Sequence, residues 1–240
     1  MSDAAALRQR SPVVLADLLP GALVRDAILV VGAAGFIGLL AQISIHLSFT
    51  PVPITGQTLG VLLAGTALGW RRAGAALALY AVAGLAGVPW FAGHASGYVG
   101  ASFGYVLGFI AAALLCGYLA ERGADRSVLR SVPVMIAGEV VMYAFGVTWL
   151  ALSLHLSASA AISEGFTPFV AGDAIKAAIA AGLLPAAWWL TGYRRGRTGG
   201  EAGRVSRAGE AGRVSRAGEA GRASQDGGAS PGGRASGEGA

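Results

Sequence analysis

Charge is scarce in this chain. Of its 240 residues only 13% are Asp, Glu, Lys or Arg, about half the roughly 25% of an ordinary soluble domain. No charged residue occurs between Ala27 and Trp70, and none between Ala73 and Ala120. A water-soluble globule does not leave such stretches bare. Cysteine is nearly absent too. The single Cys116 excludes an internal disulfide and a cysteine-cluster metal site, and in its apolar run it reads as a small buried hydrophobe. There is no HExxH, no Walker A sequence and no Asp-rich metal motif, so neither a metal nor ATP hydrolysis is expected of this chain. Gly93-His94-Ala95-Ser96-Gly97 superficially resembles the Gly-x-Ser-Gly of intramembrane serine proteases. Its serine falls in a loop, however, and the last apolar run carries no histidine to act as base. The chain is not read as an enzyme.

What is present is apolar. Hydrophobic types make up 54% of the chain and mean hydropathy is +0.60. A membrane helix needs roughly 20 apolar residues, so each uncharged run holds about two. The fold expected is an all-α integral membrane protein with six transmembrane helices, over about 27–47, 57–70, 73–88, 99–120, 132–156 and 168–190. Pro51 and Pro53 break the first run, and Pro89 ends the third span. Residues 1–25 form a polar N-terminal segment, 26–193 the membrane domain, and 194–240 a tail of Gly, Ala, Arg and Glu. In the tail a nine-residue unit, Glu-Ala-Gly-Arg-Val-Ser-Arg-Ala-Gly, repeats from Glu201 and again from Glu210. One valine per unit buries too little to offset chain entropy, so the tail is expected to be disordered.

Charge distribution sets the orientation. Arg25, Arg71, Arg72, Arg122, Arg126, Arg130, Arg194, Arg195 and Arg197 all fall in alternate connections, while segments 48–56, 89–98 and 157–167 contain no Lys or Arg. The positive-inside rule then places both termini in the cytoplasm of a bacterial-type cell membrane. The net charge of +5 does not indicate nucleic acid. Up to Tyr193 there are nine basic and eight acidic residues, and most of the excess lies in the tail. Membrane lipid is the expected surrounding.

Three ionisable residues fall inside spans: Glu139, Asp173 and Lys176, the last being the only lysine. A charge at a helix centre costs about 2.5–3.5 kcal/mol on insertion scales, so such groups pair or face a cavity. Asp173 and Lys176 are three apart and share a helical face, at depths of about 7–8 Å and 12 Å below the outer boundary. They are the expected polar floor of a small-molecule site entered from outside. Glu139, in the inner half of its span, is expected to be a structural partner. Tyr143 and Trp90 approach the same mouth, and the Gly-rich outer loop adds His94, Ser96 and Gly97. His46 and His155 read as wetted interfacial imidazoles.

Three segments carry a resemblance: Phe49-Thr-Pro-Val-Pro-Ile-Thr-Gly-Gln-Thr-Leu-Gly-Val-Leu-Leu-Ala-Gly65, Gly87-Val-Pro-Trp-Phe-Ala-Gly93, and Pro168-Phe-Val-Ala-Gly-Asp-Ala-Ile-Lys-Ala177. Together they resemble the BioY family, the biotin-specific substrate-capture subunits of energy-coupling factor transporters. The resemblance implies a six-helix fold, an extracellular biotin pocket, and partnership with a transmembrane coupling protein and two cytoplasmic ATPases. It carries over Asp173 and Lys176 as binding residues and the Thr55–Gln57 loop as lid. Biotin would be a ligand, with no cofactor in the chain. Its carboxylate suits Lys176, its ureido N–H groups suit Asp173, and its ring suits Trp90 and Tyr143. Phe103 stands where the family often has glycine. Ala34 and Gly38, a small-xxx-small pair, are expected to dock on the coupling protein. Capture of another small vitamin, or a purely structural role, are the alternatives.

Overall fold

The computed structural model describes residues 14–18 and 23–191. The expected tail at 194–240, and most of the N-terminal segment, lie outside the described residues. Among these, seven α-helices account for most of the chain: α1 (Leu23–Gln42), α2 (Gln57–Leu68), α3 (Trp70–Leu85), α4 (Phe103–Glu121), α5 (Val128–Leu154), α6 (Ala158–Gly165) and α7 (Val170–Leu190). Four segments are long and apolar enough to cross a membrane: Leu23–Gln42, Gly100–Glu121, Val128–Leu154 and Val170–Leu190. The other two expected spans are shorter, 12 residues in α2 and 16 in α3. At 1.5 Å per residue they reach about 18 and 24 Å, short of a core of roughly 30 Å.

The first helix also stops earlier than its apolar run. The Gln42 amide donates to the carbonyls of Gly38, Trp90 and Phe91, which ties the helix end to the segment after α3. The chain then forms β1 (Ser44–Ile45), antiparallel to β2 (Ile54–Thr55) with Ser44 opposite Thr55, so that Pro51 and Pro53 lie in a hairpin loop. Between α2 and α3 only Gly69 intervenes, at φ +81°. A side chain there would be strained by the backbone and would meet Glu121 Oε1 at 2.6 Å. Glycine turns the chain without a loop.

α6 has no counterpart among the expected spans. It is capped by Ser157, whose hydroxyl accepts the Ala160 N–H, an N-cap worth about 1 kcal/mol, and it runs through an alanine-rich stretch.

α2 is the inner helix, with eight of its residues buried, Gln57 and Thr66 among them. α1 and α7 are outermost, and Leu23, Val31, Leu39, Ile175, Leu183 and Leu190 are all exposed. A surface this apolar is what lipid requires and water does not tolerate. At one end, Arg72 pairs with Asp17 at 2.8 Å and with Asp26 at 3.1 Å, while Arg25 shares Asp26. At that end too, Asp125 is fully buried and accepts the Trp188 indole N–H. Burial raises its carboxyl above the usual carboxylate range.

Ala34 and Gly38 face inward. Ala34 has no exposed surface, and a Cβ on Gly38 would stand 3.2 Å from the Cβ of Trp90. The docking role expected for them has no open surface to act through. Gly32 and Gly35 of α1 face outward instead, where an added Cβ would meet nothing within 4 Å.

Candidate functional site

A cavity of about 330 Å³ opens beneath the hairpin, at the lower end of the 300–1,000 Å³ common for small-molecule sites. Its roof comes from His46, Pro51, Val52, Pro53 and Thr55, and from Ser96 and Tyr98 before α4. Tyr80, Tyr105, Phe109 and Phe169 supply aromatic walls, and α2, α5 and α7 close the polar end.

The spacing argument for Asp173 and Lys176 holds. Lys176 Nζ lies 2.7 Å from Asp173 Oδ1, with the two side chains 17% and 4% exposed. Lys176 also donates to the Thr55 carbonyl and to Thr58 Oγ1. Its three N–H donors therefore have three acceptors. Thr58 donates to Asp173 Oδ1 at 2.9 Å, and Tyr143 donates its hydroxyl to Asp173 Oδ2. Asp173 is in the first turn of α7, where the helix dipole favours an anion. A buried ion pair is tolerable only when further hydrogen bonds satisfy it, and this one has them. The Thr55 carbonyl ties the hairpin directly to the floor.

Thr55 and Gln57 extend this network. Thr55 Oγ1 donates to Gln57 Oε1, and the Gln57 amide donates to the Tyr80 hydroxyl at 2.7 Å. Both residues line the cavity, as do Ser96 and Tyr143.

Three expected contacts lie elsewhere. Trp90 is not in the lining; it stacks on Tyr80 at 5.3 Å and donates its indole N–H to the Tyr80 carbonyl, so it holds a wall instead of forming one. His94, at φ +61°, donates its backbone N–H to Gln42 Oε1. Gly97 donates its N–H to the Gly84 carbonyl at 2.8 Å. Both fix the course of the loop that carries Ser96 and Tyr98. Phe103 packs against Trp149 and Tyr98.

Sequence reasoning passes over Thr58, Tyr80 and Phe169, which carry no charge and look like any core residue. It also places Glu139 outside the site. Glu139 lines the cavity, and its Oε1 is buried without a hydrogen-bond partner among the described residues. Leaving such an acceptor unpaired costs about 1–3 kcal/mol.

An apolar helical bundle with a polar-floored cavity under its end loops defines a multi-pass membrane protein that binds a small molecule. The solved S-component for biotin from an ECF-type ABC transporter has this fold: the TM-score is 0.63 over 68% of this chain and 90% of that one, at 23% identity. The chain belongs to the BioY family, whose family model matches residues 8–193. The biotin transporter BioY of Rhizobium etli is 39% identical over 170 residues, covering 65% of this chain and 89% of that protein. The biotin transporter BioY of Thermotoga maritima is 40% identical over 144 residues, covering 59% and 82%.

Proposed function

We propose that this protein captures biotin on the outer side of the cell membrane, as the substrate-binding component of an energy-coupling factor transporter. The observation that carries this reading is the floor of the cavity. A buried Asp173, paired with a half-buried Lys176 and braced by Thr58 and Tyr143, lies under a compartment with aromatic walls. A bicyclic thioether suits those walls, and an ureido group and a carboxylate suit the polar end. ATP-driven import then requires a transmembrane coupling protein and two cytoplasmic ATPases. Calorimetry on detergent-purified protein tests the reading: one biotin should bind per chain, and a different vitamin should not displace it. No heat and no retained radiolabel at micromolar biotin would leave a structural role instead.

The chain crosses the membrane six times, with both termini in the cytoplasm. The arginine-bearing connections support this arrangement, since Arg72, Asp26 and Asp17 meet at one end and the hairpin loop meets the end of α6 at the other, where Thr50 donates to the Glu164 carbonyl. α2 and α3 cross as short helices, which is acceptable for α2 because it is enclosed by protein. With Cys116 replaced by alanine, cysteines at Ser96 and Ser159 should react with an impermeant thiol reagent on intact cells. Cysteines at Ser127 and Ser206 should not, and labelling of position 127 would overturn six crossings.

A further inference from the structure

Acceptor capacity at the cavity floor is unevenly spent. Asp173 Oδ1 already accepts from Lys176 and Thr58, and Oδ2 accepts from Tyr143. A carboxylate has about four acceptor positions, so Asp173 can take at most one more donor without breaking one of these bonds. Glu139 is different. It stands one turn before Tyr143 on α5, on the same face, lines the same cavity, and has a buried oxygen with no partner among the described residues. The groups that face it from neighbouring helices are the Asp173 and Lys176 pair of α7 and the buried thiol of Cys116 on α4. Lys176 already has three acceptors, and no hydrogen bond links Glu139 Oε1 to any of these groups among the described residues.

We propose that Glu139 is a specificity-determining residue of the capture site, whose Oε1 accepts a ring N–H of the bound ligand. The assignment rests on the biotin reading, which supplies a cyclic urea with two N–H donors. Asp173 then anchors the floor, and Glu139 distinguishes a ligand with the N–H from one that lacks it. Buried polar groups discriminate in this way because the wrong ligand leaves them unpaired.

The test pairs variants with ligands. The ligands are biotin and its two cyclic-carbamate analogues, in each of which one ureido N–H is replaced by ring oxygen. Wild-type protein should bind biotin and bind one carbamate isomer at least tenfold more weakly. Glu139→Ala should lose at least tenfold for biotin yet bind biotin and that isomer equally, the coupling expected of a direct contact. Glu139→Gln, which keeps a neutral acceptor and the side-chain shape, should fall between the two. Unchanged biotin affinity in Glu139→Ala would overturn the assignment and leave the biotin reading standing. So would a uniform loss for all three ligands in Glu139→Gln that elutes as folded protein. Absence of biotin binding by wild type would instead overturn the capture reading and this assignment with it.

Discussion

Replacing Lys176 with alanine is expected to weaken biotin binding at least tenfold, about 1.4 kcal/mol, and Asp173→Asn is expected to do the same. Membrane insertion should survive in both. The two substitutions act through different atoms. Lys176→Ala removes a cation and leaves the buried Asp173 carboxylate with the hydroxyls of Thr58 and Tyr143 alone. Breaking a buried pair from one side costs roughly 3–5 kcal/mol, so thermal stability in detergent should fall as well. Asp173→Asn keeps the shape but removes the charge that holds Lys176. All three Lys176 donors are engaged within the protein. A ligand carboxylate must therefore take the place of one acceptor, and the Thr55 carbonyl, at the base of the hairpin, is a neutral one whose loss leaves the ion pair intact. Biotin with an amidated carboxylate separates the roles. If Lys176 binds that carboxylate, Lys176→Ala should harm the amide less than it harms biotin. Equal loss for both ligands, measured by calorimetry, would mean that Lys176 serves only to hold the floor and hairpin together.

Legibility in the sequence followed the strength of the local signal. Uncharged runs broken by arginines located the helices, because burying charge in lipid is costly enough to leave a pattern visible without a structure. The Asp173–Lys176 contact was legible for a similar reason: two charges at helical spacing in an apolar span have few ways to be satisfied. Glu139 shows where this reasoning stops. Its depth was readable, but whether an inner-half carboxylate meets a helix end or a cavity depends on how α2, α5 and α7 converge. Trp90 meets the same limit. An aromatic residue near the mouth can face the ligand or brace another aromatic, and only the stack on Tyr80 decides. The hairpin has no signal in the sequence because two-residue strands leave no periodic trace. α6 lies in a stretch whose visible feature is its lack of Lys and Arg, although Ser157 and the alanines after it are the signal for a short helix.

The small residues of the bundle lead to the other large effect. Glycines on α1 stand out in the sequence, yet α4 and α5 also approach closely through glycine. A Cβ on Gly108 would lie 2.9 Å from the Met142 carbonyl oxygen and 3.0 Å from its Cα, and one on Gly104 would lie 2.1 Å from the Trp149 Cβ. These are backbone and near-backbone atoms, which a rotamer change does not move aside. Both glycines are buried, four residues apart on one face of α4, the spacing that lets membrane helices pack backbone to backbone. Gly146 on the other helix receives the ring of Tyr105, a residue of the cavity wall. Gly108→Leu is therefore expected to force α4 and α5 apart, at a cost of at least about 3 kcal/mol, the upper part of the range for overpacked interiors. The readout is loss of monodisperse protein after detergent extraction, or a melting transition lowered by many degrees, with biotin binding lost in parallel. Gly182→Leu is the matched control. It lies on α7 with nothing within 4 Å of the new Cβ, and it should leave extraction, melting and binding near wild type. If Gly108→Leu behaved like Gly182→Leu, the close contact of α4 with α5 would be wrong, and with it the wall that Tyr105 gives the cavity.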